Sequence, residues 1–420
     1  MKFVTNIEPL EYDDFVRNHK QKSHLLQSYA WGLFSTTKGL IPHYVGIKDD
    51  DKIICAALLL QKKLPLGYSY FYVPRGYVID FNDFKLLHEF TNKIKIYVKE
   101  RKGIFIKIDP DIELHDIDDN SNPIQGGNNN YKVVDNLIKL GYRHKGYNKY
   151  FESTQPRYTF RIDLTKEMEQ LENNMNKSLI QKIKKSYDYE VEIHKGTINN
   201  IGDFYNLMLI TSGREDFVTY SKEYYENFFK ILHEYDMCEL FFGKVFPDKI
   251  IKNHQTKLNE TKELLASETK KGKKRDYENI INKLTKELEE FEKYKNLYPE
   301  GVIISAHIIA MYGNKVWELY AGNHNIFKEA NANNRIYYDE IKYAKDSGYK
   351  IFDQFGTIGD LSNDRLIGLH NYKKGLGGRY IEFIGEFDLV TNKILYFIFT
   401  KLIPIYRKII KSIYKKKRRV

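Results

Sequence analysis

Tyr349-Lys350-Ile351-Phe352-Asp353-Gln354-Phe355-Gly356 follows a helical stretch and a glycine, and it has a counterpart earlier in the chain, Gly103-Ile104-Phe105-Ile106-Lys107-Ile108-Asp109-Pro110. In both, an apolar run too short for a helix reads as a buried strand and ends on an aspartate. The echo predicts two copies of one helix–strand unit, each placing a carboxylate at a strand end. Such an aspartate either lines a cleft or caps its own turn, and at Asp109 both readings are open.

Working outward, residues 368–378 carry the lysine pair Lys373-Lys374 on a short helix punctuated by Gly368, Gly375, Gly377 and Gly378. The alternation of Tyr380, Glu382, Ile384 and Glu386 then predicts a strand that returns to the sheet. Carboxylate, ammonium and exposed backbone amides between two strands suit a polar substrate. A glycine helix cap with solvated lysines explains the same residues.

Upstream, two helices within residues 10–40 precede strands at His43–Lys48, Ile53–Lys62 and Tyr68–Val73, the last ending in Pro74-Arg75-Gly76. Arg75 there is either a substrate clamp or an exposed turn residue. The spacing of Leu87, Phe90, Ile94, Tyr97 and Val98 predicts a helix leading into the first aspartate-ended strand. Alternating strands and helices with an antiparallel meander give an α+β (mixed α/β) fold. The domain division is residues 1–154, then residues 155–246 with 300–390, with residues 247–299 as an insertion and residues 391–420 as a tail. In the insertion, Ile251, Leu258 and Leu265 face Tyr277, Ile281, Leu284, Leu288 and Phe291 across a basic break at residues 270–275. That pattern predicts an antiparallel helical coiled-coil hairpin reaching about 30 Å. It serves as a spacer, as an oligomer contact or as an arm that touches RNA.

A chain of 420 residues exceeds one ordinary core. Its two cysteines, Cys55 and Cys238, lie in apolar runs without metal-ligand spacing, so reduced core thiols and no metal are expected. The N-terminus lacks a secretory apolar segment, and no run of about 18 apolar residues suggests a spanning helix. The net charge of +11 is uneven, because ten Lys and Arg and no acidic residue follow Asp388. The body is therefore close to neutral, which argues against a DNA-binding surface. The tail, apolar residues among lysines with Pro404 expected to interrupt any single helix, suits an amphipathic segment on an anionic leaflet. Attraction of RNA is the rival explanation.

Two meander-plus-helix domains look like a tandem of acetyltransferase-type (GNAT) folds. Such folds hold acyl-CoA through a glycine-containing loop, and residues 323–334 contain no glycine. CoA is therefore not expected as donor.

A series of motifs occurs in order: Leu26-Gln27-Ser28-Tyr29-x-Trp31, Pro74-Arg75-Gly76, Lys107-Ile-Asp109-Pro110-Asp111, Gln155-Pro156-Arg157, Thr211-x-x-Arg214-x-x-Phe217, Tyr320-x-Gly322, Tyr372-Lys373-x-x-x-Gly377 and Ile384-Gly385-Glu386-Phe-Asp388. Together they resemble the Fem family of aminoacyl-tRNA-dependent peptidoglycan interpeptide-bridge transferases (FemX, FemA, FemB and MurM-like), nearest to the branch that adds the first residue. The resemblance implies transfer of an amino acid, glycine in the nearest relatives, from aminoacyl-tRNA to the third-residue amine of the lipid II stem peptide. It implies a cytoplasmic enzyme, peripheral on the inner face of the membrane, with aminoacyl-tRNA as co-substrate and no cofactor. It also implies roles: Lys373 as the cation for the oxyanion, Asp109 as partner of the acceptor amine, Arg214 and Lys38 on the pyrophosphate, and Tyr320 on substrate. Arg75 and Asp353 complete the expected substrate-binding set.

Overall fold

The computed structural model describes residues 1–20, 22–362 and 365–405. Strands in the first part are β1 (Lys2–Thr5), β2 (Ile41–Asp49), β3 (Lys52–Lys63), β4 (Ser69–Val73), β5 (Gly103–Ile108), β6 (Glu113–Asp116) and β7 (Tyr142–His144). The rest are β8 (Tyr158–Asp163), β9 (Glu192–Lys195), β10 (Cys238–Val245), β11 (Val302–Tyr312), β12 (Lys315–Asn323), β13 (Ile351–Asp353), β14 (Arg379–Phe383) and β15 (Phe387–Val390). They form two mixed sheets, ordered β1-β2-β3-β4-β5-β15-β7 and β6-β14-β8-β13-β12-β11-β10-β9.

Each sheet is an antiparallel meander with one parallel pair, β4 with β5 and β12 with β13. A helix precedes the second member of each pair, Phe84–Glu100 in one and Ala332–Asp346 in the other. The parallel pairing follows from that crossover, since a hairpin turn joins only antiparallel strands. Asp109 lies just past β5, and Asp353 is the last residue of β13.

The expected strand over residues 380–386 does not continue as one element. It breaks after Phe383, where Gly385 takes φ +88°, and the chain crosses from the second sheet to the first. There β15 pairs antiparallel with both β5 and β7. In exchange β6, within the first 154 residues, pairs with β14 of the second sheet. The sequence division at residue 154 is thus crossed by one strand in each direction. Alternation alone conceals this, because it stays in phase across Gly385.

Helices Pro247–Ser267 and Lys271–Lys295 leave the second sheet after β10 and return to β11. Their base is anchored by Phe291 against Phe327 and by Glu287, which accepts from Tyr189 Oη at 2.6 Å and lies 3.2 Å from His254 Nε2. Met168–Asn174 forms a short helix absent from the sequence reading, and Leu171 is its one buried side chain. Cys55 and Cys238 are buried free thiols.

The tail begins with helix Lys393–Phe397 and continues as a wider π turn over Ile398–Leu402 into helical residues through Ile405. Pro404 therefore does not interrupt it: the widened turn accommodates a residue that clashes with the carbonyl four positions back and donates no hydrogen bond. Residues 406–420, which hold most of the basic tail, lie outside the described residues. Among the described residues, no helix is long and apolar enough to cross a membrane.

Candidate active site

A cleft of about 320 Å³ lies between the two sheets. Its lining includes Lys38, Tyr72, Gln155, Trp317, Tyr320 and Phe355. Two of the expected site residues, Lys38 and Tyr320, therefore reach it directly. Asp109 and Lys373 stand one layer behind, each joined to the lining by a hydrogen bond.

On the first wall, the alternation of β4 turns Tyr72 toward the cleft, and its hydroxyl donates to Asp109 Oδ2 at 2.6 Å. The backbone N–H of Arg75 donates to Asp109 Oδ1 at 2.6 Å. Asp109 is buried, and desolvation pushes its carboxyl up to about 6, against the opposing pull of the Arg75 charge and the two hydrogen bonds. Arg75 is buried as well. Its guanidinium donates to the carbonyl of Pro156 at 2.7 Å and lies 4.4 Å from the centre of the Phe383 ring. It joins the two halves of the molecule more than it clamps the open cleft.

On the second wall, Lys373 Nζ donates to the carbonyls of Gln354 at 2.6 Å, Phe355 at 2.8 Å and Gly356 at 2.9 Å. An ammonium has three N–H groups, so all are committed to this loop. Burial lowers the Lys373 pKa to about 8. The N–H groups of the same loop point the other way, as a trans peptide requires. Phe355 N–H donates to Asp353 Oδ1 at 2.9 Å, and Thr357 N–H donates to the carbonyl of Tyr158 at 2.9 Å. The N–H between them, that of Gly356, has no acceptor among the described residues. Phe355 and Gly356 line a narrow neck at the base of the cleft.

Asp353 is buried in that neck and makes no open contact with the cleft. It accepts from Thr159 Oγ1 at 2.6 Å and from Arg161 Nε at 2.7 Å. Arg161 also donates to Asp111 at 2.7 Å, and Asp111 pairs with Lys315 at 2.9 Å. These charges separate the neck from a larger, more polar cleft of about 800 Å³ on the far side. Of the expected residues, Lys38 and Tyr320 line the smaller cleft, and none lines the larger one.

Arg214 stands apart. It lies at the exposed end of helix Ile201–Glu215, where Nε donates to Glu215 at 2.8 Å and Nη1 to Asn325 Oδ1 at 2.8 Å. Lys38 has no such partner among the described residues. Its ammonium sits over the rings of Phe34 and Trp31 at 4.3 and 4.6 Å, and burial lowers its pKa to about 8. Tyr320 shares a hydrogen bond of 2.8 Å with Tyr224 inside an aromatic cluster that includes Tyr220. Sequence reasoning missed Tyr72, Arg161 and Gly356. The lone arginine in the apolar strand Tyr158–Asp163 was the one available signal, since an unpaired charge there needs a buried partner.

A model of the FemAB family matches residues 7–403. The chain belongs to the FemAB family. It is 30% identical over 413 residues to the lipid II:glycine glycyltransferase of Staphylococcus epidermidis, covering 95% of each chain. Against the Staphylococcus aureus enzyme of the same name the identity is 30% over 413 residues, with 94% of each chain covered. The crystal structure of FemX superposes with a TM-score of 0.78 at 28% identity, covering 94% of this chain and 99% of that one. This FemAB-family protein is thus a transferase, and its two mixed sheets are arranged as in FemX.

Proposed function

We propose that this FemAB-family transferase moves an amino acid, glycine first among the candidates, from the ester of an aminoacyl-tRNA to the third-residue amine of the lipid II stem peptide. The observation that carries this reading is the cleft itself, with the Tyr72–Asp109 pair on one wall and the Lys373-held loop on the other. In this proposal the chain is two tandem GNAT-like units, residues 1–154 and residues 155–246 with 300–390. The two long helices inserted in the second unit, residues 247–299, are an antiparallel coiled-coil hairpin. No cofactor is needed beyond the tRNA co-substrate, and the enzyme works on the inner face of the cytoplasmic membrane. Substrate phosphates are gripped by Lys38 and, from the rim, by Arg214.

The chemistry follows from the groups present. An amine arrives as an ammonium and pairs with the carboxylate of Asp109 beside the Tyr72 hydroxyl. Once it has given a proton to solvent, its nitrogen attacks the ester carbonyl. A C–N bond forms and the carbonyl oxygen becomes an oxyanion; the carbonyl then re-forms as the C–O bond to the ribose breaks, and the ribose oxygen takes the proton that the attacking nitrogen sheds. The free N–H of Gly356 is a suitable oxyanion donor. In this proposal Lys373 acts through the loop: by holding three carbonyls on its own side, it keeps that N–H turned toward the neck.

The test is transfer of labelled glycine from glycyl-tRNA to purified lipid II, followed by mass analysis of the stem peptide. One added glycine on the third-residue amine is the expected product. Turnover with an acyl-CoA and none with aminoacyl-tRNA would overturn the proposal.

A further inference from the structure

The helix that begins the tail is apolar on two opposite sides. Leu395, Tyr396, Phe399 and Ile403 face the body, where Tyr396 and Phe399 pack on Phe105 at ring distances of 5.3 and 5.8 Å. The other side carries Ile394, Phe397, Ile398, Leu402 and Ile405, spaced three and four apart and exposed, Ile394 by 74% and Phe397 by 55%. A helix on a water-facing surface would carry polar residues there.

Beside it projects the turn between β3 and β4. Leu64 and Tyr68 pack into the same small core as Tyr396, and Leu66, at the tip, is 90% exposed. Its backbone is held at φ +61°, a region leucine occupies at a cost and glycine does not. Neither the Leu64–Tyr68 turn nor the Lys393–Ile405 segment carries an acidic residue. Lys63, Lys102, Lys393 and Lys401 are exposed, with no ion-pair partner among the described residues. Lys102 Nζ lies 3.9 Å from where a Cβ on Gly67 would stand, so it sits at the tip.

We propose that the Leu66 tip and the outer face of the Lys393–Ile405 helix together form one surface that docks on an anionic lipid bilayer. The apolar side chains enter the interface and the lysines meet the headgroups. A second copy of the chain would need acidic residues opposite these lysines, and this surface offers none to its own twin.

The surface also fixes the height of the cleft. Leu60 and Tyr72 line the cleft, and the same two strands run from there to the Leu66 turn. The separation is about 15 Å of strand and turn. β5, parallel to β4, has Phe105 under the helix at one end and Asp109 just past the other. The chemistry is thus held above the lipid plane, where the peptide of a lipid-linked acceptor projects. This last point rests on the proposed function; the docking itself does not.

The experiment is flotation of the full chain with vesicles of phosphatidylcholine alone and of phosphatidylcholine with phosphatidylglycerol, for wild type, Leu66→Asp, Phe397→Asp and the double variant. We expect binding only to the anionic vesicles, about threefold weaker for each single variant and at least tenfold weaker for the double. The melting temperature and turnover on a lipid-free acceptor should be unchanged. Leu66→Trp should show a blue shift in emission on anionic vesicles, readable because Trp31 and Trp317 are buried. Full binding by the double variant overturns the proposal, as does a dimer in sedimentation that Phe397→Asp dissociates without any change in lipid binding. Flotation involves no turnover, so failure of the proposed reaction leaves this result intact.

Discussion

Lys373 Nζ donates to the carbonyl oxygen of Phe355 at 2.8 Å, while the N–H of Phe355 donates to Asp353 at 2.9 Å. One residue, held at φ +54°, is thus gripped from both sides by opposite charges. A non-glycine residue persists in that region when its surroundings over-determine it. Replacing Lys373 with Met leaves three carbonyls without their shared donor and lets the loop relax. We predict a 10²–10³-fold loss of single-turnover transfer rate, the scale of losing one oxyanion donor. Lys373→Arg should not rescue it, because a planar fork cannot converge on three carbonyls as a single nitrogen does. A Lys373→Arg variant at or near the wild-type rate would show that charge alone suffices.

In the proposed reaction Asp109 and Lys373 set a pH profile. There Asp109 must be ionised to pair with the ammonium, and its pKa is pushed up to about 6, so kcat is expected to rise as pH increases through that value. Lys373 must stay protonated to hold the loop, and its pKa is lowered to about 8, so kcat falls beyond it. A bell with these limbs is expected from initial rates at saturating acceptor, corrected for spontaneous ester hydrolysis. A profile flat from pH 5.5 to 7 would remove Asp109 from the chemistry.

Asp109 also predicts a trade between activity and stability. Its folded pKa of about 6 exceeds the ordinary 3.8, so the native state binds the proton more tightly than the unfolded chain. The resulting penalty on the ionised fold is absent below about pH 4, grows as pH rises, and is complete above about 6. Two pKa units correspond to about 3 kcal/mol, and Asp109→Asn loses about 1 kcal/mol of that gain with one hydrogen bond. We expect Asp109→Asn to be inactive yet about 2 kcal/mol more stable at pH 7.5, with the difference shrinking as pH falls and reversing to about 1 kcal/mol less stable below about pH 4 in denaturant titrations.

Buried charge gives a fourth measurement. Arg161 lies between Asp353 and Asp111, with Lys315 beyond. Asp353→Ala strands part of that network and frees the Phe355 N–H. Breaking one member of a buried pair costs about 3–5 kcal/mol, and unfolding by urea should report a loss on that scale.

What the sequence made legible was local. Asp49-Asp50-Asp51 announces the β2–β3 turn, and Asp50 and Asp51 do take the left-handed backbone that such a turn requires. The echo of residues 103–109 in residues 349–353 locates the parallel pair of each sheet, because an apolar run after a helix and a glycine has few other uses. What stayed hidden depends on partners far along the chain. Tyr72 looks like any aromatic in a strand until Asp109 is beside it. Lys373 reads as a free cation until the carbonyls of residues 354–356 close on it. The strand Glu113–Asp116 is short and charged, and only β14, more than 260 residues away, makes it a strand.

That exchange of strands gives the last prediction. In the first sheet β15 stands between β5 and β7, so residues 1–154 alone lack a central strand. β7, three residues long, would then have no neighbour, and β5 would expose an edge bearing Ile106 and Ile108. An open apolar edge of that kind pairs with other chains. A fragment of residues 1–154 should therefore aggregate or remain unfolded when expressed alone. A peptide of residues 384–405, which supplies β15 together with Tyr396 and its neighbours, should restore soluble, cooperatively melting material when added during refolding. A fragment of residues 1–154 that folds unaided as a monomer would mean that the two sheets are independent units and that β15 contributes little to the first.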